Sequence, residues 1–230
     1  MNLLAIDTST ESCSAALLCG ERLSERSELA PRRHAELILP MIDSLLAEAG
    51  LSRRRLDGIA VGRGPGAFTG VRLGISVAQG LALGLDIPVV PVSSLAALAQ
   101  AAPADTDGAI LAVIDARMGE IYAGAFRRDG DGELVPIMDE MVGRATEFIF
   151  PQSKNWTVLG SGWAAYAEAL ASRLPAPPRF ADGARYPQAR AVARLAQPQF
   201  AAGRGVSPEY ALPVYLRDKV ALTLEEQRAR

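Results

Sequence analysis

Histidine and cysteine are nearly absent: the 230 residues hold one histidine, His34, and two cysteines, Cys13 and Cys19. A zinc site draws several ligands from these side chains, so the scarcity argues against one, and no metal is expected. The two cysteines sit at even spacing in an alternating run of small and apolar residues, which places both on one strand face as reduced, packed thiols. An excess of one charge sign is also missing. Lys plus Arg number 24 against 26 Asp plus Glu, for a net charge of -2. No global basic field exists to hold a nucleic acid through many phosphates. No basic segment followed by a long apolar run opens the chain, so no secretory signal is read and a cytoplasmic location is expected. The longest apolar run, Leu73 to Leu85, is interrupted by Ser76 and Gln79. It falls short of the roughly 20 apolar residues that span a bilayer and reads as a buried helix, with no membrane role.

What is present is an ordinary globular composition, 49% apolar and 22% charged, in a chain long enough for one large domain or two small ones. A repeat favours two. "LLAIDTSTESCSAALLCGERL" and "ILAVIDARMGEIYAGAFRRDGDGEL" each read as a strand ending in Asp, a polar stretch, a second strand, a glycine turn and a third strand. Asp7 and Asp115 are the equivalents, with Ser14 and Tyr122 at the same offset from them. The first meander is followed by a helix from about Arg33 to Ala49, the strand "LDGIAVG", a helix from about Ala67 to Leu85, the strand "IPVVPVS" and a helix in "SSLAALAQAA". Such alternation predicts an α/β fold with crossover helices. The second copy is abbreviated, with "TEFIF" and "WTVLGSGW" legible before prolines interrupt it. The expected division is residues 1–104, 105–215 and a C-terminal segment, 216–230, that packs back or frays.

The stretch "VGRGPGAFTGVRLG" carries the most pointed chemistry. Its glycines precede a helix start, where backbone amides can approach a phosphate, and Thr69 and Arg72 stand within reach of an anion. The Lys-Ser/Thr ending of a P-loop is absent. Gly66, Gly70, Gly74 and Ala78 recur every four residues as a small-residue stripe. Interior glycine costs roughly 1 kcal/mol against alanine, so close approach of another backbone explains the stripe better than phosphate binding does. In the preceding helix Ala35, Ile38, Ile42, Leu45 and Ala49 form one apolar stripe, with Leu37, Leu39, Met41 and Leu46 flanking it. At about 100° per residue the arc spans roughly 200°, twice what one core contact needs, so part of it is expected to meet another chain and the rest its own domain. Pro40 is expected to kink this helix. His34 could serve Ser9 or Ser12 as a base, but with no nucleophile elbow it reads as a capping or surface group. Asp7 and Asp115 suit either a magnesium-bound nucleotide or a turn cap. Arg53, Arg54 and Arg55 read as a solvated loop capped by Ser52, with a tRNA contact the lesser alternative.

The duplicated meander with Asp ending each first strand resembles the fold of sugar kinases, actin and Hsp70. The runs "AIDTST", "RHAELILPMIDSLL", "GRGPGAFTGVRLGISVAQGLAL", "IPVVPVSSL" and "DARMGEIYAG" resemble, more specifically, the bacterial tRNA threonylcarbamoyladenosine biosynthesis protein TsaB (YeaZ) family. The resemblance implies a duplicated actin-like (ASKHA, ribonuclease H-like) fold of two domains with mixed sheets. It implies a non-catalytic partner of the paralogue TsaD, which transfers the threonylcarbamoyl group to the tRNA adenosine beside the anticodon. The ATPase TsaE joins the complex, tRNA is met only indirectly, and a homodimer forms when the protein is alone. Ser93, Ser94 and Leu98 stand where TsaD carries metal-binding histidines, and neither hydroxyl nor leucine replaces them. No cofactor is required on this reading. Weak ATP or ADP binding would fall to Asp7, Gly64, Gly66, Thr69 and Asp115. The partner interface would comprise Leu37, Ile38, Met41, Ile42, Leu45, Gly70, Gly74 and Ala78. In "DARMGEIY", Arg117 and Glu120 are surface candidates through the resemblance alone. The competing expectation is an ATP-dependent phosphotransferase or ATPase of the same fold.

Overall fold

Two alternating apolar runs with a glycine between them fold as the first hairpin of a five-stranded sheet. In the computed structural model, which describes residues 1–217, β1 (Asn2–Asp7), β2 (Ser12–Cys19) and β3 (Arg22–Leu29) form an antiparallel meander. Gly20, at φ +61°, makes the turn between β2 and β3. Parallel β4 (Gly58–Gly62) and β5 (Val89–Val92) extend it in the order β3-β2-β1-β4-β5. The crossovers are α1 (His34–Glu48) and α2 (Phe68–Leu85). Both helices cover one sheet face, where Ile38, Ile42 and Leu45 meet Val71, Ile75 and Ala78 over Leu4, Ile6 and Ile59. α1 runs unbroken through Pro40.

The second sheet repeats this order as β10-β9-β6-β7-β8. Its meander is β6 (Ala109–Arg117), β7 (Glu120–Arg128) and β8 (Leu134–Arg144), followed by β9 (Trp156–Leu159), α4 (Ser161–Arg173) and β10 (Pro178–Asp182). The abbreviation lies where α1 has its counterpart. "TEFIF" forms a 3-10 turn at Ala145–Glu147, after which Phe148 and Phe150 stack at 5.8 Å and Phe150 meets Trp156 edge-on at 6.0 Å. An aromatic plug thus fills the space that a helix covers in the first copy.

The helices that end each half change sheets. α3 (Ser94–Gln100) packs its Leu95 and Leu98 on Ile110, Ala112 and Phe126 of the second sheet. α5 (Ala189–Ala201) returns to the first sheet, where Ala189, Val192, Ala193 and Ala196 lie against Ala5, Ala16 and Ala60. Alanine on both sides allows this close approach. The chain then adds an antiparallel bridge, Val206 to Val89. α5, which the expected division places in the 105–215 unit, thus builds the first sheet's second face, while Val206 and Ala211 after it join the α1 and α2 side. Of the 216–230 segment only Leu216 and Arg217 are described, and the remainder lies outside the described residues.

Candidate functional site

The loop of residues 63–67 leaves the C-terminal end of β4 beside the β1–β2 turn. A Cβ on Gly66 would overlap the Ser9 carbonyl, one on Gly70 the Thr8 carbonyl, and one on Gly74 the Thr8 hydroxyl. The stripe therefore exists to admit the backbone at Thr8 and Ser9 from within the same chain. Ala67 N–H donates to the Ser9 carbonyl at 2.7 Å, and Thr8 Oγ1 donates to the Gly70 carbonyl at 2.7 Å. The Gly64 carbonyl accepts from Ser94 N–H at 2.9 Å, and Gly64 itself sits at φ +95°. A carbonyl occupies the cradle where an anion would have to lie.

Asp7 is wholly buried. Its Oδ1 accepts from the Ser9 amide at 2.9 Å and hydroxyl at 2.8 Å, while Oδ2 has no partner and points toward Gly62. Burial pushes its carboxyl up to about 6, against the lowering effect of the Ser9 bonds and of His34. Asp115 makes the same turn in the second copy, its Oδ1 accepting from Arg117 N–H at 2.9 Å. The strand pairing differs: Asp7 faces Ser14, whereas Asp115 faces Ile121 and Tyr122 faces Ile114. The second hairpin is one residue tighter than equal sequence offsets suggest.

Between the two aspartate turns lies a cleft of about 230 Å³, lined among others by Thr10, Glu11, Phe68, Met118, Tyr122 and residues 214–217. Of the residues assigned to a nucleotide, Gly66 and Asp115 line it. Asp7, Gly64 and Thr69 do not, because Asp7 is enclosed, Gly64 backs onto Val71 and Val214, and Thr69 is on the exposed side of α2. Asp115 is already engaged with the Arg117 guanidinium at 2.8 Å, which also reaches Glu11 of the first copy at 2.6 Å. Glu11, Phe68, Met118, Tyr215 and Arg217 were not singled out as site residues. No local pattern marks them: Glu11, Phe68, Tyr215 and Arg217 are tied there by contacts distant in sequence, and Met118 sits exposed in the turn between β6 and β7.

The assigned partner surface divides in two. Ile38, Ile42, Leu45, Gly70, Gly74 and Ala78 are buried in their own domain and are not available to a partner. Leu37 and Met41 on α1, and Leu73, Val77 and Leu81 on α2, are half-buried ladders at four-residue spacing. Leu39 is 46% and Leu83 73% exposed. α2 is therefore not the buried helix its composition suggested. By length and composition it could cross a bilayer, yet its Val71 and Ile75 side is a layer of the first domain.

His34 Nε2 is 2.9 Å from the Thr10 carbonyl, and Ser9 Oγ donates to Asp7, so the histidine fixes the start of α1 to the β1–β2 turn. Ser93 caps α3 through Ala96 N–H at 3.1 Å and also bonds Glu140. Ser94 is buried with its hydroxyl unpartnered beside Gly62. Arg53–Arg55 form an exposed 3-10 turn that Ser52 flanks without a side-chain cap, and Arg53 pairs with Asp43.

Two copies of a meander plus two parallel strands, each with an aspartate turn facing a common cleft, define a protein of the actin-like class. The sequence matches the family TsaD, tRNA N6-adenosine threonylcarbamoyltransferase, over residues 26–223. It is 40% identical over 228 residues to the tRNA threonylcarbamoyladenosine biosynthesis protein TsaB of Escherichia coli K12, covering 96% of each chain. The TsaB of Haemophilus influenzae is 41% identical over 229 residues, covering 96% of this chain and 95% of that one. YeaZ from Pseudomonas aeruginosa superposes with a TM-score of 0.86 at 44% identity, covering 94% of this chain and 99% of that one. The chain belongs to the TsaB (YeaZ) family.

Proposed function

We propose that this protein serves tRNA threonylcarbamoyladenosine formation as a non-catalytic partner of the TsaD transferase. It acts in the cytoplasm, scaffolding and activating TsaD in a complex that TsaE also joins. It meets tRNA only through that complex, requires no cofactor of its own and self-associates when TsaD is absent. The observation that carries this reading is the pair of ladders the first domain leaves partly open, Leu37 and Met41 on α1 and Leu73, Val77 and Leu81 on α2, with Leu39 and Leu83 exposed on the other flanks of the same helices. Apolar side chains left open to solvent on two helices of one sheet face suit a protein interface. The Ser9 carbonyl in the glycine cradle and the Arg117 pairing of Asp115 support a non-catalytic role.

Light scattering of the protein alone and mixed with its TsaD paralogue tests the reading. Wild type is expected to form a mixed complex, while Leu37→Glu/Met41→Glu and, separately, Leu83→Glu lose it and retain wild-type circular dichroism. Complex formation by all variants would remove the helix face as the interface. Magnesium-dependent ATP turnover by the purified protein, abolished by Asp115→Ala, would instead establish the ATPase.

A further inference from the structure

Ala211 is buried, and its carbonyl accepts from Gln79 Nε2 of α2 at 3.2 Å. From Leu212 to Arg217 no residue is buried, although the segment runs across the mouth of the cleft. Among the described residues three polar contacts hold it, and the Tyr215 ring also packs on Phe68 at 5.6 Å. Val214 N–H donates to the Arg63 carbonyl at 2.9 Å. The Tyr215 hydroxyl accepts from Arg72 Nε at 2.5 Å, and the same guanidinium lies 3.7 Å over the Phe68 ring. Arg217 donates to the Ala116 carbonyl at 3.1 Å and pairs with Glu120.

The first two contacts fasten the segment to the β4–α2 loop and α2; the third reaches the β6–β7 hairpin of the other sheet. Among the described residues only the third spans the cleft. Each is a partly solvated polar or cation–aromatic contact, the weak class for its type. A segment with few buried apolar contacts opens at lower free energy than the domain beneath it. The hairpin it grips has two non-glycine residues in the left-handed region, Arg117 at φ +63° and Met118 at +58°. Such backbone persists only where the surroundings hold it. With Val214–Arg217 as one wall, the cleft's 230 Å³ is below the roughly 300–1,000 Å³ of an ordinary ligand pocket.

We infer that residues 212–217 are a latch that pivots on Ala211 and closes the cleft between the two sheets, with the Arg217–Glu120 pair as its catch. Releasing that pair frees the segment while the first sheet stays folded, and enlarges the cleft.

Single-residue amide hydrogen exchange on the full chain reads this directly, because the Val214 amide makes the latch's own hydrogen bond. The Val206 amide, bonded to the Val89 carbonyl at 2.8 Å, reports the sheet beneath. Arg217→Glu and Glu120→Arg are each expected to speed Val214 exchange roughly tenfold and leave Val206 unchanged. Combining the two restores the opposite charges and should recover most of the protection. The latch is overturned by unchanged Val214 exchange in both single variants, by equal acceleration at Val214 and Val206, or by no recovery in the double variant. None of these readouts involves a partner protein, so the docking face can fail without affecting them.

Discussion

Asp7 is enclosed with one carboxylate oxygen bonded twice by Ser9 and the other without a partner. In the unfolded chain it titrates near 3.8; in the folded protein burial raises it to about 6. At pH below the unfolded value the group is neutral in both states and costs nothing. Between the two values the unfolded chain ionises first, so stability falls as pH rises, and above 6 the loss is complete. At 1.36 kcal/mol per unit the full loss is about 3 kcal/mol. Asp7→Asn should stabilise the protein by about 1–3 kcal/mol at pH 7.5 and change little at pH 3.5, measured by urea denaturation at both. The cysteines give a second residue-scale outcome. Burial, with Asp7 and Glu28 nearby, pushes the Cys13 thiol up to about 11, while Cys19 is half-exposed. Iodoacetamide at pH 8 should label Cys19 and spare Cys13, as peptide mass spectrometry would show.

α2 carries two kinds of glycine, and only their surroundings distinguish them. Gly70 lies against the Thr8 carbonyl, whereas a Cβ on Gly80 would meet nothing. Gly70→Ala is expected to cost about 1–3 kcal/mol through overpacking against a backbone that cannot yield. Gly80→Ala should gain about 0.5–1 kcal/mol from helix propensity alone. Thermal unfolding of the two variants tests the contrast. The helices themselves were legible: α1 and α2 begin one residue after their expected starts and α1 ends one residue early, because apolar periodicity is a local property. Which face each helix buries was half legible. Ile38, Ile42 and Leu45 follow the expected stripe, but the width of the arc left open which part meets the core and the resemblance placed these three at the partner interface; only the sheet beneath decides for the core.

At the scale of the whole molecule, α5 lies far in sequence from the sheet it completes. Ala193 is fully buried on the first sheet. Ala193→Asp introduces a charge there without a designed partner and should cost about 3 kcal/mol or more. Hydrogen exchange should show β1 and β4 losing protection while β6 and β9 keep theirs. Loss confined to β6 and β9 would assign α5 to the second sheet. The ion pairs Arg117–Glu11 and Arg217–Glu120 belong to the same scale, since they couple residues that share no motif.

The sequence by itself determined the repeat, the two meanders, the crossover helices and the resemblance to a family, because each rests on residues near one another along the chain. Glycine at four-residue spacing even announced a close backbone approach. Only the tertiary structure decided that the backbone is the protein's own Thr8 and Ser9, that Asp7 faces inward instead of into the cleft, and that residues 212–217 cross it. Those outcomes depend on which distant segments share the limited space around one sheet end, a competition among long-range contacts that no local pattern encodes.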